Sequence, residues 1–202
     1  MELFDKETLL NLLPSDGEAI YFGKVFTIKE SQYNLDKLLK NIAWKNDEVT
    51  IFGKKITTNR KVAWYGENNI QYTYSHSTKK ALPWTSELTE LKIMADKFCN
   101  SNFNSCLLNL YHNGEEGMGW HSDDEKSIEK NSPIASFSFG AERKFSFKHR
   151  QTKETLSLLL ENGSFLEMKG PTQQYWLHSL PKSKKILEPG INLTFRVMGK
   201  SN

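Results

Sequence analysis

The sequence predicts a mainly β protein of the sandwich or jelly-roll type, with a helical and hairpin segment packed in front of the β core. Apolar residues recur with helical periodicity only in the first half of the chain. From Cys106 onward, apolar and polar residues alternate with a period of two, in short runs separated by turn residues. Many short strands at close spacing are typical of sandwiches and jelly rolls.

The first half predicts two helices and a hairpin. Ser31 could cap the first helix, whose apolar face consists of Leu35, Leu38, Leu39 and Ile42. Pro83 and Thr85 open the second helix, whose inward face consists of Leu88, Leu91, Ala95 and Phe98. Between the helices, β-forming residues from Val49 to Ile56 flank Gly53, which predicts a hairpin that turns at this glycine.

The second half predicts strands at Cys106–Tyr111, Ile134–Phe139, Lys144–Lys148, Thr155–Leu160, Ser164–Met168, Gln174–Leu180 and Asn192–Met198. We interpret residues 1–202 as one α+β domain with a mainly β core. A front segment of helices and hairpin covers about 1–105, and the β core covers about 106–202.

Composition is typical of a globular protein, with 202 residues, 25% of them charged. No apolar run approaches the roughly 20 residues that cross a bilayer. Residues Met1 to Ser15 lack the basic region and apolar core of a signal peptide. With only two cysteines in the chain, we expect a cytoplasmic protein, or a nuclear one if the organism is eukaryotic.

The net charge of +3 permits a polyanionic partner without arguing strongly for one. Basic residues cluster in two runs, which we interpret as solvated faces. The runs are Lys182, Lys184 and Lys185, and Arg143, Lys144, Lys148, His149, Arg150 and Lys153.

Three residues could hold a metal ion. His121 and Asp123 are two apart at the end of a short strand, so both side chains point to one face of an extended backbone. His178 lies within a later strand. Two imidazoles and one carboxylate leave three coordination positions open, which is the ligand set of non-heme Fe(II) oxygenases. Zinc accepts the same ligands, although closed structural zinc sites usually have four protein ligands.

Polar residues also alternate on two other strands. Asn109 and Tyr111 share a face, and so do Asn192, Thr194 and Arg196 on the last strand. An amide, a phenol and an arginine that point inward suit a small dicarboxylate, because arginine grips carboxylates with two hydrogen bonds. A salt bridge at the end of the barrel is the alternative role for Arg196.

Five segments together resemble the AlkB family of Fe(II)- and 2-oxoglutarate-dependent nucleic-acid demethylases, most closely the homologues that repair duplex DNA. The segments are residues 109–114 (NLYHNG), 119–125 (GWHSDDE), 132–140 (SPIASFSFG), 176–181 (WLHSLP) and 191–196 (INLTFR). The resemblance covers roughly Tyr21 to Met198.

The resemblance implies a double-stranded β-helix with a nucleotide-recognition lid in front of it. His121, Asp123 and His178 would bind Fe(II). The residues that would contact 2-oxoglutarate are Asn109, Tyr111, Asn192 and Arg196. The implied reaction uses O2 to oxidise the N-methyl group of bases such as 1-methyladenine and 3-methylcytosine in DNA. It restores the base and releases formaldehyde. The expected partner is duplex DNA with the damaged base flipped out, bound by a monomer.

The resemblance also implies substrate contacts. Glu125 would accept a hydrogen bond from the exocyclic amine of the damaged base, and Tyr74 would stack on that base, with Tyr72 near the same pocket. Phe52, in the Ile51-Phe52-Gly53 hairpin, would be a wedge in the base stack. The alternatives from the residues alone are ordinary core packing for Phe52 and Tyr74, and a solvated acid for Glu125.

One departure from the family pattern concerns Gly190, which stands where the family carries the first arginine of Arg-x-x-x-x-x-Arg. Tyr111, Lys184 and Lys185 are candidates to grip the distal carboxylate of 2-oxoglutarate instead, and we rank Tyr111 first. Pro189-Gly190 could also form a turn that shortens the last strand. Two other functions stay open: demethylation of RNA or single-stranded DNA, and binding of lesions with little turnover.

Overall fold

Alternating apolar residues place most of the β-forming sequence in two antiparallel sheets. The computed structural model describes residues 9–51, 54–67, 70–74 and 77–199. It confirms the mainly β fold with a jelly-roll core, and it gives thirteen strands and three helices within those ranges. No helix of the described residues is long and apolar enough to cross a membrane.

The larger sheet has seven strands, and its central strand is the last one in the described sequence. In sheet order the strands are β1 (Glu18–Lys24), β11 (Ser164–Lys169), β8 (Ile134–Gly140), β13 (Gly190–Arg196), β6 (Ser105–Tyr111), β3 (Lys54–Gly66) and β2 (Lys45–Ile51). Strand β13 pairs with β6 on one side and with β8 on the other. The front segment therefore contributes β1, β2 and β3 to the same sheet as the core, and these strands cover edges that would otherwise be open.

The smaller sheets complete the β structure. The four-stranded sheet has the order β10 (Thr155–Leu160), β9 (Arg143–His149), β12 (Trp176–Leu180) and β7 (Met118–His121). A separate hairpin consists of β4 (Gln71–Tyr74) and β5 (Ser77–Lys80). The strand β7, on which the proposed first metal ligand lies, therefore sits at an edge of the smaller sheet.

Two long helices cover the outer face of the larger sheet. Helix α1 (Ile28–Asn41) begins after Thr27, whose hydroxyl accepts from the Glu30 amide while the Glu30 carboxylate accepts from the Thr27 amide. The prediction of Ser31 as the cap is therefore wrong: its hydroxyl donates to the Thr27 carbonyl inside the first turn. Helix α2 (Ser86–Cys99) is capped by Thr85, as the sequence indicated. Helix α3 (Thr172–Tyr175) is a single turn.

The two larger hydrophobic clusters lie on opposite faces of the larger sheet, and a small third one contains Ile70, Ala81 and Met198. Between this sheet and the helices lies an aromatic cluster in which Phe137 packs on Phe165, with ring centroids 4.7 Å apart. Between the two sheets lies a second cluster around Trp176 and Phe147. Alternate residues of each strand face opposite sides of the sheet. The polar residues on the side that faces the smaller sheet therefore line the space between the two sheets.

Three strand predictions differ from the structure. The stretch Gln174–Leu180 begins with the turn of α3, so its strand starts at Trp176. The last strand starts at Gly190, so the turn proposed for Pro189-Gly190 does not shorten it. The hairpin predicted for Val49–Ile56 is the end of a longer β2–β3 pair, and its turn at Gly53 lies outside the described residues.

Candidate functional site

The structure brings His121, Asp123 and His178 together between the sheets. His121 ends β7 and pairs directly with His178 on β12, so both imidazoles share one face. Asp123 follows in the loop after β7. Ligand atoms of the three residues lie within 4.8 Å of one another, and each histidine Nε2 lies 4.0 Å from Asp123 Oδ1. One oxygen of the carboxylate thus faces both imidazoles.

Both histidine rings can present a nitrogen to this point. When His121 Nδ1 carries the ring proton, it donates to the Gly119 carbonyl at 2.8 Å, which leaves the Nε2 lone pair facing Asp123. His178 is buried, and burial lowers its pKa to about 4 despite the nearby Asp123 charge. Its ring stacks on Phe145 with centroids 5.4 Å apart. Both rings are therefore fixed with a nitrogen available to a metal.

The second oxygen of Asp123 is held by an arginine. Arg196 donates to Asp123 Oδ2 from Nε at 3.1 Å and from Nη2 at 2.7 Å. Burial would raise the pKa of Asp123, but the Arg196 charge keeps that pKa below its ordinary value. The Asp123 amide donates to Gln173 Oε1 at 2.9 Å. The carboxylate is thus ionised and oriented by neighbours on two other elements.

This donor set fits a divalent ion with open coordination positions. The three ligand atoms lie within 4.8 Å of one another, close enough to form one cluster around an ion. Two imidazoles and one carboxylate leave the remaining positions to other molecules. Among the described residues, no other group of histidine, cysteine and carboxylate ligands forms such a cluster.

A row of polar side chains continues from the metal ligands along the inner face of the larger sheet. Asn192 pairs directly with Asn109, and Gly190 pairs directly with Tyr111. The Asn192 amide donates to the Ser136 and Ser138 hydroxyls at 2.8 and 3.3 Å. Asn109 is buried and its Oδ1 has no hydrogen-bond partner in the described structure. The Asn109 amide therefore keeps hydrogen-bonding capacity for a ligand or water.

Tyr111 lies between two arginines that sequence reasoning did not assign to a site. Burial raises the pKa of Tyr111 and the nearby charge of Arg60 on β3 opposes this shift, while the Arg143 guanidinium lies over the Tyr111 ring, 5.4 Å from its centroid. Arg143 and His149, interpreted from sequence as part of a solvated basic face, are both buried. The reason is the alternation along β9, which turns residues 143, 145, 147 and 149 inward. That strand begins one residue before its predicted start, at Arg143.

A cavity of about 780 Å³ opens beside this row. Asn109, Arg196 and Glu125 contribute to its wall, and so do Arg60 and Asp47, which form an ion pair. Glu125 is exposed, yet the protein around its carboxylate raises its pKa by desolvation, which the Arg196 charge opposes. Because the strand ends at His121, Glu125 reaches the cavity from a loop.

Three residues with a predicted substrate role have side chains outside the described part of the structure. The backbone of Tyr72 and Tyr74 forms β4, but their side chains lie outside the described part of the chain. Phe52 also lies outside the described residues. Lys184 and Lys185, candidates for the grip on a distal carboxylate, are exposed.

Comparison with known proteins identifies the family. A model of the 2OG-Fe(II) oxygenase superfamily matches residues 18–196. The chain belongs to this superfamily. Curated relatives with similar sequences specify its AlkB branch. They include "DNA oxidative demethylase ALKBH2" of Bos taurus, 38% identical over 88% of this chain, and of Homo sapiens, 37% identical over 88%. "Alpha-ketoglutarate-dependent dioxygenase alkB homolog 3" of Homo sapiens is 36% identical over 89%.

The chain spans 66%, 71% and 65% of the lengths of these three AlkB relatives, in the same order. A solved structure titled "The structure of OsALKBH1" shares the fold, with a TM-score of 0.60 at 16% identity, and covers 94% of this chain and 99% of its own. Membership of the AlkB family implies Fe(II) and 2-oxoglutarate as cofactor and cosubstrate, and the donor set of His121, Asp123 and His178 fits the metal.

Proposed function

We propose that this AlkB-family protein oxidatively demethylates N-alkylated bases in DNA, of the 1-methyladenine and 3-methylcytosine type. The observation that carries the proposal is the convergence of His121, Asp123 and His178 beside a cavity to whose wall Glu125 and Arg196 contribute. The relatives named DNA oxidative demethylase support DNA as the substrate. Bound Fe(II), with 2-oxoglutarate and O2, supplies the oxidation that turns the methyl group into formaldehyde.

The barrel residues position the reactants. His121, Asp123 and His178 hold the metal, and Arg196 keeps Asp123 ionised and turned so that Oδ1 faces the histidines. We propose that 2-oxoglutarate occupies the inner face of the larger sheet, in contact with Asn109, Tyr111, Asn192 and Arg196. Burial raises the pKa of Tyr111, so its hydroxyl stays protonated and can donate to a carboxylate. The protein thereby fixes the cosubstrate between two opposed sheets and keeps it from bulk water.

The damaged base enters the cavity from the side of Glu125. A 1-methyladenine or 3-methylcytosine base carries a positive charge, which a carboxylate at the cavity wall attracts. Tyr72 and Tyr74 would stack on such a base, since aromatic stacking contributes about 1–3 kcal/mol per base. The base must leave the duplex to reach the metal, and unstacking costs a few kcal/mol.

The front segment would meet the DNA, as the recognition lid of the protein. Phe52 between β2 and β3 is proposed to fill the gap left by the flipped base, which makes duplex DNA the preferred form. Lys54 and Lys55 follow it in sequence, and cations at this place suit a phosphate backbone. All proposed site residues come from one chain, so a monomer is sufficient.

Mass spectrometry of a methylated oligonucleotide tests the proposal. The protein is purified without oxygen, loaded with Fe(II), and mixed in air with duplex DNA, single-stranded DNA or RNA that carries one lesion. Loss of one methyl group and equimolar formaldehyde, only when 2-oxoglutarate is present, is the expected result. Faster demethylation of RNA or of single-stranded DNA than of duplex DNA would identify that nucleic acid as the preferred substrate. Tight lesion binding without formaldehyde would make the protein a binding module.

A further inference from the structure

Arg143 is a buried cation that forms no salt bridge with a described carboxylate. The residue is 4% exposed, and its guanidinium makes hydrogen bonds only to backbone carbonyls within the described residues. Nη2 donates to the carbonyls of Glu116 and Pro181 at 2.7 and 3.2 Å, and Nη1 donates to that of Asn113 at 3.5 Å. Its Nε is buried with no partner there. Burial lowers the pKa of Arg143, which reflects the unfavourable environment for its charge.

Two other arginines beside the same polar row differ from Arg143 in this respect. Arg196 is bonded to Asp123, and Arg60 is paired with Asp47. The carboxylate that acts on Arg143 through its charge, Glu116, is itself engaged by the His112 amide and ring. An unpaired charge in a protein interior is unfavourable by several kcal/mol, so the environment of Arg143 favours an added anion.

The position of Arg143 defines the kind of anion. Along β9, Arg143 is one inward-facing residue beyond Phe145, whose ring stacks on the metal-site residue His178. Two residues of a strand span about 6.6–6.8 Å, comparable to the length of an extended five-carbon dicarboxylate. The guanidinium also lies over Tyr111, and the residue that pairs with Tyr111 on β13 is Gly190, which has no side chain. Arg143 thus lies against the phenol ring of Tyr111, whose strand partner on β13 is a glycine.

We propose that Arg143 binds the distal carboxylate of 2-oxoglutarate, with Tyr111 as a second donor. Arg143 thus supplies from the smaller sheet the positive charge that Gly190 does not supply from the larger one. The Nε hydrogen and the Tyr111 hydroxyl converge on one carboxylate, while the carbonyl bonds of Nη1 and Nη2 hold the guanidinium in place. The inference deepens the proposed function, since it rests on the use of 2-oxoglutarate at the same site.

A purely structural role is the competing explanation. The carbonyls of Asn113, Glu116 and Pro181 belong to two loops, and Arg143 could serve only to tie these loops together. The two roles predict different ligand selectivity. A residue that binds the distal carboxylate discriminates between 2-oxoglutarate and 2-oxopentanoate, which has the same chain length but lacks that carboxylate. A loop tie affects both compounds equally.

Anaerobic calorimetric titration of both compounds into the Fe(II) protein measures this selectivity. The variants are Arg143→Met, Arg143→Lys, Arg143→Met with Gly190→Arg, and the control Lys144→Met, which removes an exposed cation from the adjacent position of β9. Arg143→Lys keeps the positive charge, so selectivity can still be measured if the Arg143→Met variant does not fold. A Cβ at Gly190 would lie 3.2 Å from the Ala141 carbonyl oxygen, a contact that a small shift relieves.

We expect Arg143→Met to weaken 2-oxoglutarate binding roughly 10- to 100-fold and to leave 2-oxopentanoate binding within about twofold. Arg143→Lys should lose part of the selectivity for 2-oxoglutarate, and Lys144→Met should lose none of it. Adding Gly190→Arg to the Arg143→Met variant should restore the selectivity. Equal losses for both compounds, or unchanged selectivity in both Arg143 variants, would overturn the inference. If the native chain still releases formaldehyde from methylated DNA in those cases, the proposed function stands without it. A native chain that binds no 2-oxoglutarate overturns both.

Discussion

The jelly-roll core and the front segment divide the proposed work differently. The proposed metal ligands and the polar row around Asn109 and Asn192 all come from the core. The row and His178 lie on strands that are paired on both sides, whereas His121 ends the edge strand β7 and Asp123 follows it in a loop. The front segment contributes the β2–β3 and β4–β5 hairpins, with lysines in β3 and β5. Reaction chemistry needs fixed ligands, whereas a segment that contacts DNA needs exposed cations and aromatic groups. Substitutions in the two regions should therefore have different effects.

The largest effect is expected from the core. His178→Ala removes a buried ligand from a cluster that has no spare donor among the described residues, so metal binding and turnover should fall below detection on every substrate. The same holds for His121→Ala and Asp123→Ala. Metal content and formaldehyde release check this, with His112→Ala as the control because this histidine is exposed and lies outside the cluster. Full activity of any one ligand variant would remove the iron assignment.

A change in the front segment should act on one substrate form only. Phe52→Ala should slow repair of duplex DNA by roughly 5- to 150-fold, the equivalent of 1–3 kcal/mol of lost stacking. Repair of the same lesion in a single strand should change little, since no gap in a base stack needs to be filled. Single-turnover rates on both substrates measure the effect. Equal losses would make Phe52 a structural residue and would blur the division between the two regions.

Glu125 lies at the boundary of the two regions and should have a smaller effect. Glu125→Ala should reduce the preference for cationic over neutral methylated bases by about 2- to 10-fold, because an exposed carboxylate interacts weakly through solvent. Consumption of 2-oxoglutarate without DNA should be nearly unchanged. Asp124→Ala is the matched control, since Asp124 is an exposed neighbour that pairs with Arg150. Identical lesion preferences in the native chain and both variants would exclude Glu125 from base recognition.

The smallest effect concerns stability alone. Thr27→Ala should lower the free energy of unfolding by about 1 kcal/mol through loss of the α1 cap, with both repair activities retained. The Thr27 bonds lower the pKa of Glu30 in the folded state. Their contribution is therefore present above the ordinary glutamate pKa and is lost as the pH falls through the lowered value. Urea titrations at two pH values measure it, with Ser86→Ala in α2 as a non-capping control.

The sequence predicted the core more completely than the front segment, for a physical reason. Core strands such as Ser164–Lys169 bury one face or both, so a run or an alternation of apolar residues marks each strand in the sequence. Strand β3 runs on to Gly66 and escaped detection beyond Ile56. Its stretch from Thr57 to Lys61 is polar, so no apolar period of two connects the hairpin to the buried Ala63 and Tyr65 further along the strand.

Some site residues could be predicted from the sequence and others could not. His121, Asp123 and His178 could be found because ligand type and spacing are written in the sequence. Arg143 could not, because its importance lies in what surrounds it: burial, carbonyl partners and the absence of a described carboxylate. The α1 cap was a different kind of error. The Thr-x-x-Glu spacing of Thr27 and Glu30 was present in the sequence, but Ser31 was nearer to the first apolar residue of the helix.

The central position of β13 has a consequence for synthesis. A chain made from its N-terminus has completed β6 and β8 long before residues 190–196 leave the ribosome, yet these residues belong between the two strands. Until then, each of the two strands presents an open edge, which is a template for pairing with other chains. Asp123 also lacks Arg196, and Asn109 lacks its partner Asn192. Placement of β13 therefore orients the Asp123 carboxylate and closes the gap between β6 and β8 in the same step.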